Sequence, residues 1–290
     1  MKLEPLVFEE DFHPTLWGGE RWLVSAHPSA PSRVKGGTFA GRRLDELAEE
    51  LGAELIGRCA SGRFPLLIKE IDAHTRLSVQ VHPNEATAAG TGGEPKTEMW
   101  HVLEAERDGA VYAGLKPGTT REDLERAVKD GHFEKIVLRH PAEPGLGVFI
   151  PGGLVHAIGD GVKLFEVQQS SNTTYRLYDW GRKGADGKPR PLHVAEALAT
   201  ADLGTVPVTV KGALACPFFH LTPRVLTTSE EVAANSETFR VLFAVEGAFK
   251  VDYASGELEI PSGGVVLVPA VIAFKLIPAA SKVRLIEVSL

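Results

Sequence analysis

Cysteine is nearly absent: Cys59 and Cys216 are the only two in 290 residues. They form no CxxC pair, which excludes a disulfide framework and a cysteine-built metal site. A reducing cytoplasm is the expected compartment. A basic excess is also missing. Lys and Arg number 31 against 38 Asp and Glu, a formal charge of −7. Non-specific nucleic-acid binding needs surplus cations against phosphates, so nucleic acid is not an expected partner. An anionic small molecule stays open, provided a few Lys and Arg are placed locally. Long apolar runs are lacking too. The most apolar stretch, residues 263–280, is broken by Pro269, Lys275 and Pro278, short of the roughly 20 apolar residues a membrane helix needs. The opening MKLEPLVFEEDF turns acidic at once and has no apolar signal-peptide core.

What the chain does have is turn formers, 30 Gly and 19 Pro, which favour short strands over long helices. At about 150 residues per domain, the length suggests two domains. PLLIKEI, LSVQVHP, MWHVLEA, GAVYAGL, LGVFIPGG and VKLFEVQQ read as strands. Helices are expected over Leu44–Leu51, from Thr119 or Thr120 to a stop at Gly131, and over residues 193–200. Residues 84–95, rich in Gly, Thr and Ala, read as a loop. After a linker at residues 206–207, strands recur at the spacing of a sandwich or barrel. A short echo links the halves. Gly147–Pro151 leads to His156, and residues 264–269 lead to Phe274, so a polar position in the first half is apolar bulk in the second.

Three places carry chemistry. Strand alternation puts Ser78, Gln80 and His82 on one face, with Val79 and Val81 on the other. Lys96 and Glu98 share a face at the start of an apolar strand. His156 follows a Pro-Gly-Gly turn among Leu154, Val155, Ala157 and Ile158. Each has a bland reading by itself: a solvated face, a surface ion pair worth under about 1 kcal/mol, a satisfied core histidine.

Together they resemble the two metal-binding motifs of the cupin superfamily: Pro151-x-Gly153-x-x-His156, and a variant first motif in which Gln80 replaces the usual first His before His82 and Glu98. Two neutral imidazoles, a carboxylate and an amide oxygen suit a borderline divalent ion such as Zn2+. LSVQVHPNE, KTEMWHVLEA, FIPGGLVHAIGDG, FEVQQSSNTTYRLYDWGR and PLHVAEAL, with Leu16-Trp17-Gly18-Gly19 and Ser25-Ala26-His27-Pro28 before them, extend the resemblance. They are similar to type I mannose-6-phosphate isomerases of the short bacterial kind. One departure is the short segment between Trp17-Gly18-Gly19 and Ser25, which puts local structure there in doubt.

The resemblance implies a mainly β fold of two cupin-type, double-stranded β-helix or jelly-roll domains with a few helices on the first. Residues 1–205 would carry the metal and the chemistry, and residues 206–290 would be a degenerate cupin without ligands. It implies one zinc per chain on Gln80, His82, Glu98 and His156. The activity implied is aldose–ketose isomerisation of mannose 6-phosphate and fructose 6-phosphate through an enediol. Arg176 falls at the family's active-site arginine. Glu166, Lys96 or a hydroxide on the metal would act as base, and Ser78 would donate to the phosphate or a sugar hydroxyl. Arg182, Lys183, Lys188 and Arg190 are candidate phosphate cations among otherwise solvated loop residues. The expected partner is a small sugar phosphate, with no nucleic acid and no membrane, and the expected state is a monomer or homodimer. Two other readings remain at this point, a metal cupin of another reaction class and a non-catalytic sugar-binding cupin. Gln80 speaks against an Fe(II) dioxygenase, and the presence of Arg176 with every ligand speaks against the second.

Overall fold

The computed structural model describes residues 3–58, 62–184 and 187–290. Cys59 lies outside them; Cys216 Sγ lies 3.5 Å from Phe219 O. Strands dominate, and among the described residues no helix is long and apolar enough to cross a membrane.

The chain forms two compact units, neither continuous in sequence: residues 12–21 with 69–211, and residues 1–11 and 22–68 with 212–290. The N-terminal segments expected with the first domain therefore group with the C-terminal strands. Backbone pairing is the reason. Leu6 and Leu267 exchange both hydrogen bonds, at 2.8 and 2.9 Å, and Phe239 N–H donates to Ile56 O at 3.1 Å. Phe64 packs on Phe239 with ring centroids 4.6 Å apart. No local sequence pattern announces contacts this far apart along the chain.

In the unit containing residues 212–290, two antiparallel sheets enclose Leu242, Phe249, Val251, Val266, Phe274 and Leu285. Phe274 opens the strand Phe274–Pro278, as His156 opens His156–Ile158. The echo read in the sequence thus has a structural counterpart, apolar in one unit and polar in the other.

The other unit is built on a five-stranded antiparallel sheet in the order Tyr175–Tyr178, Val79–Val81, His156–Ile158, Ala110–Leu115, Val137–Pro141. A larger sheet contributes Val162–Gln169, Glu98–Ala105 and Gly147–Ile150 as central neighbours. Trp100, Val102, Val111, Ala113, Val148 and Leu164 form a shared buried core. Val79, Val81, Val155 and Leu177 instead join a second cluster with Leu124, Phe133 and Ala197. These come from Arg121–Asp130, Phe133–Lys135 and Val194–Thr200. One face of the short strands is thus covered by helices, which leaves the alternate residues, Gln80 among them, for the other face.

The helix Arg121–Asp130 begins and ends as the sequence suggests. Thr120 caps it through a reciprocal bond with Asp123, and Gly131 closes it in the left-handed region. Residues 84–95 differ from expectation, because they contain a helix, Glu85–Thr91. The Asn84 side chain accepts from Ala86 N–H and Thr87 N–H at 3.0 and 2.9 Å. That cap and the three alanines 86, 88 and 89 outweigh the loop-like composition.

Candidate active site

The short strands align three candidate site residues in a row. Arg176 lies directly opposite Gln80, and Gln80 directly opposite His156 on the next strand. On the larger sheet Glu98 pairs with Gln168 and Trp100 with Glu166, so all four share one face. The two sequence motifs are tied by backbone: Gly153 N–H donates to His82 O at 2.8 Å. Gly153 turns there with φ +96°, a conformation L side chains rarely adopt.

His82, Glu98 and His156 converge, with candidate ligand atoms all within 4.8 Å of one another. Among the described residues no other group of three or more His, Cys, Asp or Glu has this geometry. Each imidazole is fixed by its far nitrogen. His82 Nδ1 donates to Thr173 O and His156 Nδ1 to Leu154 O, both at 2.8 Å. That leaves both Nε2 lone pairs facing Glu98, at 3.5 Å from its two oxygens. Burial, then the charge of Lys96, pushes His82 well below its ordinary range, and burial brings His156 down to about 4. Both rings are neutral near pH 7, as ligands must be.

Lys96 is the cation beside this group, its Nζ 2.6 Å from Glu98 Oε2 and 3.0 Å from His82 Nε2. Burial works against its charge, but Glu98 and Glu166 outweigh it and the net shift is upward. The other Glu98 oxygen, Oε1, is buried with no hydrogen-bond partner. An uncompensated carboxylate oxygen between two imidazole lone pairs is a site for a further cation. Gln80 turns Nε2 toward His156 Nε2 at 3.3 Å and accepts Ser78 Oγ–H at Oε1, 3.1 Å. To serve as a ligand its amide must rotate end for end, after which Nε2 would donate to Ser78. With that rotation the four residues fit a divalent metal.

A cavity of about 420 Å³ opens in front of this group. Ser78, Gln80, Lys96, Glu166 and Arg176 line it, while His82, Glu98 and His156 are not among its lining residues. Glu166 is 3% exposed; its Oε2 accepts Trp100 Nε1–H at 2.9 Å, and its Oε1 lies 4.0 Å from Lys69 Nζ. Burial first, then Glu98, raises its carboxyl to about 7. Arg176 Nε–H donates to Ser78 Oγ at 3.3 Å and Nη1–H to Pro191 O at 3.0 Å. The Ser78 hydroxyl is therefore engaged on both sides within the chain. Of the four loop cations, Arg190 alone lines the cavity; Lys183 and Lys188 are exposed, and Arg182 is tied to Asp179 and Arg76 O.

Sequence reading missed Lys69 and Glu20, which pair at 2.9 Å inside the cavity wall. A lysine within the apolar run PLLIKEI was the available signal. Trp100 and His193 were missed as well.

A family model described as phosphomannose isomerase type I, catalytic domain, matches residues 10–107. A mannose-6-phosphate isomerase of Streptococcus mutans is 37% identical over 219 residues, 69% of each chain. The chain belongs to the type I mannose-6-phosphate isomerase family. The crystal structure of the mannose 6-phosphate isomerase from Bacillus subtilis has a TM-score of 0.89 at 27% identity, over 99% of this chain and 100% of that one. A more distant mannose 6-phosphate isomerase structure, bound with zinc and yttrium, shares the fold at 16% identity and a TM-score of 0.73, over 98% of both chains. The match to the family model takes in Gln80, His82, Lys96 and Glu98. His156, Glu166 and Arg176 lie beyond it in sequence, and the strand pairing brings them to the same site in this isomerase.

Proposed function

We propose that this isomerase interconverts mannose 6-phosphate and fructose 6-phosphate through an enediol, with one zinc held by Gln80, His82, Glu98 and His156. The observation that carries the reading is the buried Glu98 carboxylate between two imidazoles fixed in the ligand tautomer, its Oε1 beside His156 without a hydrogen-bond partner. The zinc and yttrium bound by the distant relative of the same fold are in keeping with it. Zinc there would supply a Lewis acid for the sugar oxygens on C1 and C2.

The remaining work falls to side chains. A proton must leave C2 and return at C1 on one face, while another moves between O1 and O2. Glu166 is the better carbon base. Its carboxyl is poised near pH 7, where a base both accepts and releases protons readily. Lys96 stays an ammonium, so it donates to a substrate oxygen rather than taking a proton from carbon. Trp100 fixes the Glu166 carboxylate by its Nε1–H bond. Arg176, permanently cationic, faces the developing enediolate or a sugar oxygen.

Turnover in deuterated water tests the enediol: deuterium at the newly protonated carbon is expected, and no deuterium in either sugar phosphate after many turnovers at equilibrium would contradict it. Arg176→Ala is expected to keep its zinc and to lower kcat by about 10²-fold or more, the scale of one lost charge-stabilising group. Steady-state kinetics with metal analysis checks this, and unchanged turnover removes Arg176 from the chemistry.

A further inference from the structure

Two arginines, 182 and 190, hold one carboxylate, Asp179, and a third, Arg176, feels its charge. Burial opposes the Asp179 charge, yet Arg190 and Arg182 hold it below the usual carboxylate range. Arg182 is consumed structurally: its guanidinium binds Asp179 and the carbonyls of Asp179 and Arg76. Arg190 grips Asp179 side-on, Nε at 2.7 Å from Oδ2 and Nη2 at 2.5 Å from Oδ1. That grip fixes the plane of the guanidinium and leaves its Nη1 for a second anion. Arg190 also lines the cavity, next to Arg176 and His193. Burial, then repulsion from Arg190, depresses Arg176 below the usual arginine range.

His193 is bound to Arg176 twice through the backbone strand. Its N–H donates to Arg176 O at 2.8 Å, and its Nδ1 accepts Arg176 N–H at 3.3 Å. With Nδ1 an acceptor, the neutral ring carries its proton on Nε2, a donor on a residue that lines the cavity. The cavity is thus polarised. Lys69 and Lys96 share its wall with Glu20 and Glu166, while Arg176 and Arg190 add two guanidinium groups with no further carboxylate in the lining. Ser78 spans the two, bonded to Arg176 and to Gln80.

We propose that Arg190 and His193 form the clamp for the substrate's C6 phosphate, with Asp179 as the residue that positions Arg190; this rests on the sugar-phosphate reading above. A phosphate carries about −1.5 to −2 charges at pH 7, and the metal end of the cavity is taken by the sugar oxygens on C1 and C2. At the guanidinium end it meets a planar donor fork and a neutral N–H. The sugar then lies with C1 and C2 toward Gln80 and Lys96, and with its chain passing Arg176.

The test uses zinc-loaded protein, with inorganic phosphate as the binding probe in calorimetry and mannose 6-phosphate in kinetics. Arg190→Met is expected to raise KM and to weaken phosphate binding by about tenfold or more, the scale of a lost charge-assisted hydrogen bond, with a much smaller change in kcat. His193→Asn keeps an acceptor for Arg176 N–H but loses the donor at the Nε2 position, which the shorter amide does not reach; it should weaken phosphate binding in a protein of normal melting temperature, which covers the case of an unfolded Arg190 variant. Arg190→Lys should recover part of the affinity. Phosphate affinity and KM left at wild-type values in both variants, or a fall in kcat with KM unmoved, would overturn the clamp. If the wild type binds phosphate and the variants lose it while no isomerisation is found, the clamp stands and the proposed reaction fails.

Discussion

Glu166→Gln is expected to lower kcat by about 10³-fold, within the range that loss of a general base produces, while zinc content and KM change little. The amide is nearly the same shape and can still accept Trp100 Nε1–H, so the substitution removes proton transfer and little else. A second effect runs in the opposite direction. Burial and the nearby Glu98 lift the folded-state carboxyl from 4.5 to about 7. The fold therefore favours the protonated form. Below pH 4.5 that preference costs nothing; between 4.5 and 7 the unfolded chain ionises first and stability is lost. Above 7 the full penalty applies, on the order of 3 kcal/mol. Glutamine removes the penalty. In metal-free protein the variant should be more stable than wild type at pH 8 and nearly equal to it at pH 4.5, measured by urea unfolding. A catalytic group that destabilises its own fold is a common exchange of stability for function. Equal kcat in the variant would remove Glu166 as the base, and an unchanged stability difference across the pH range would contradict its raised carboxyl.

Glu98→Ala carries the other large effect, and it acts on two quantities. The variant should bind no zinc and show background turnover, because the only carboxylate among the four proposed ligands is gone. It also strands Lys96. In the wild type the Lys96 ammonium, 5% exposed, is held by Glu98 at 2.6 Å. Removing one partner of a buried ion pair leaves an uncompensated charge and costs about 3–5 kcal/mol. The Lys96 shift is upward in the folded state, so the pair's contribution is fully present below pH 10.5 and fades only above it. In the variant the stranded Lys96 can shed its proton as the pH rises, and Glu166 loses the neighbour that raises its carboxyl, so the loss should be larger at pH 6 than at pH 8. Adding Lys96→Met should restore most of the stability and none of the activity. A double-mutant cycle in denaturant measures this coupling. If the second change restores nothing, the ion pair is not what Glu98 contributes to the fold.

How much of this was readable in the sequence depended on the range of the interaction. Gln80 and His82 share a face because alternation is a local property of strands, and Val79 and Val81 do pack on the opposite, helix-covered side. Thr120 and Gly131 bracket a helix for equally local reasons. The helix at 85–91 was hidden because its alanines sit among glycines and threonines, and only the Asn84 side chain tips the balance. Long-range pairing was invisible: nothing near Leu6 points to Leu267, and nothing near Ile56 points to Phe239. The same limit applied to the loop cations. Four basic residues in a short stretch look alike, and the difference between Arg182, tied to Asp179 and Arg76, and Arg190, gripped at the cavity wall, is set by partners brought in by the fold. Lys69 and Glu20 escaped for the reverse reason, since each looks like an ordinary charged residue until their strands are laid side by side.

The most direct test of the account is a coupled assay of mannose 6-phosphate conversion to fructose 6-phosphate on protein stripped of metal by a chelator and then reloaded with zinc. Turnover is expected to disappear with the metal and to return as about one zinc per chain is restored. Full turnover in metal-free protein would contradict it.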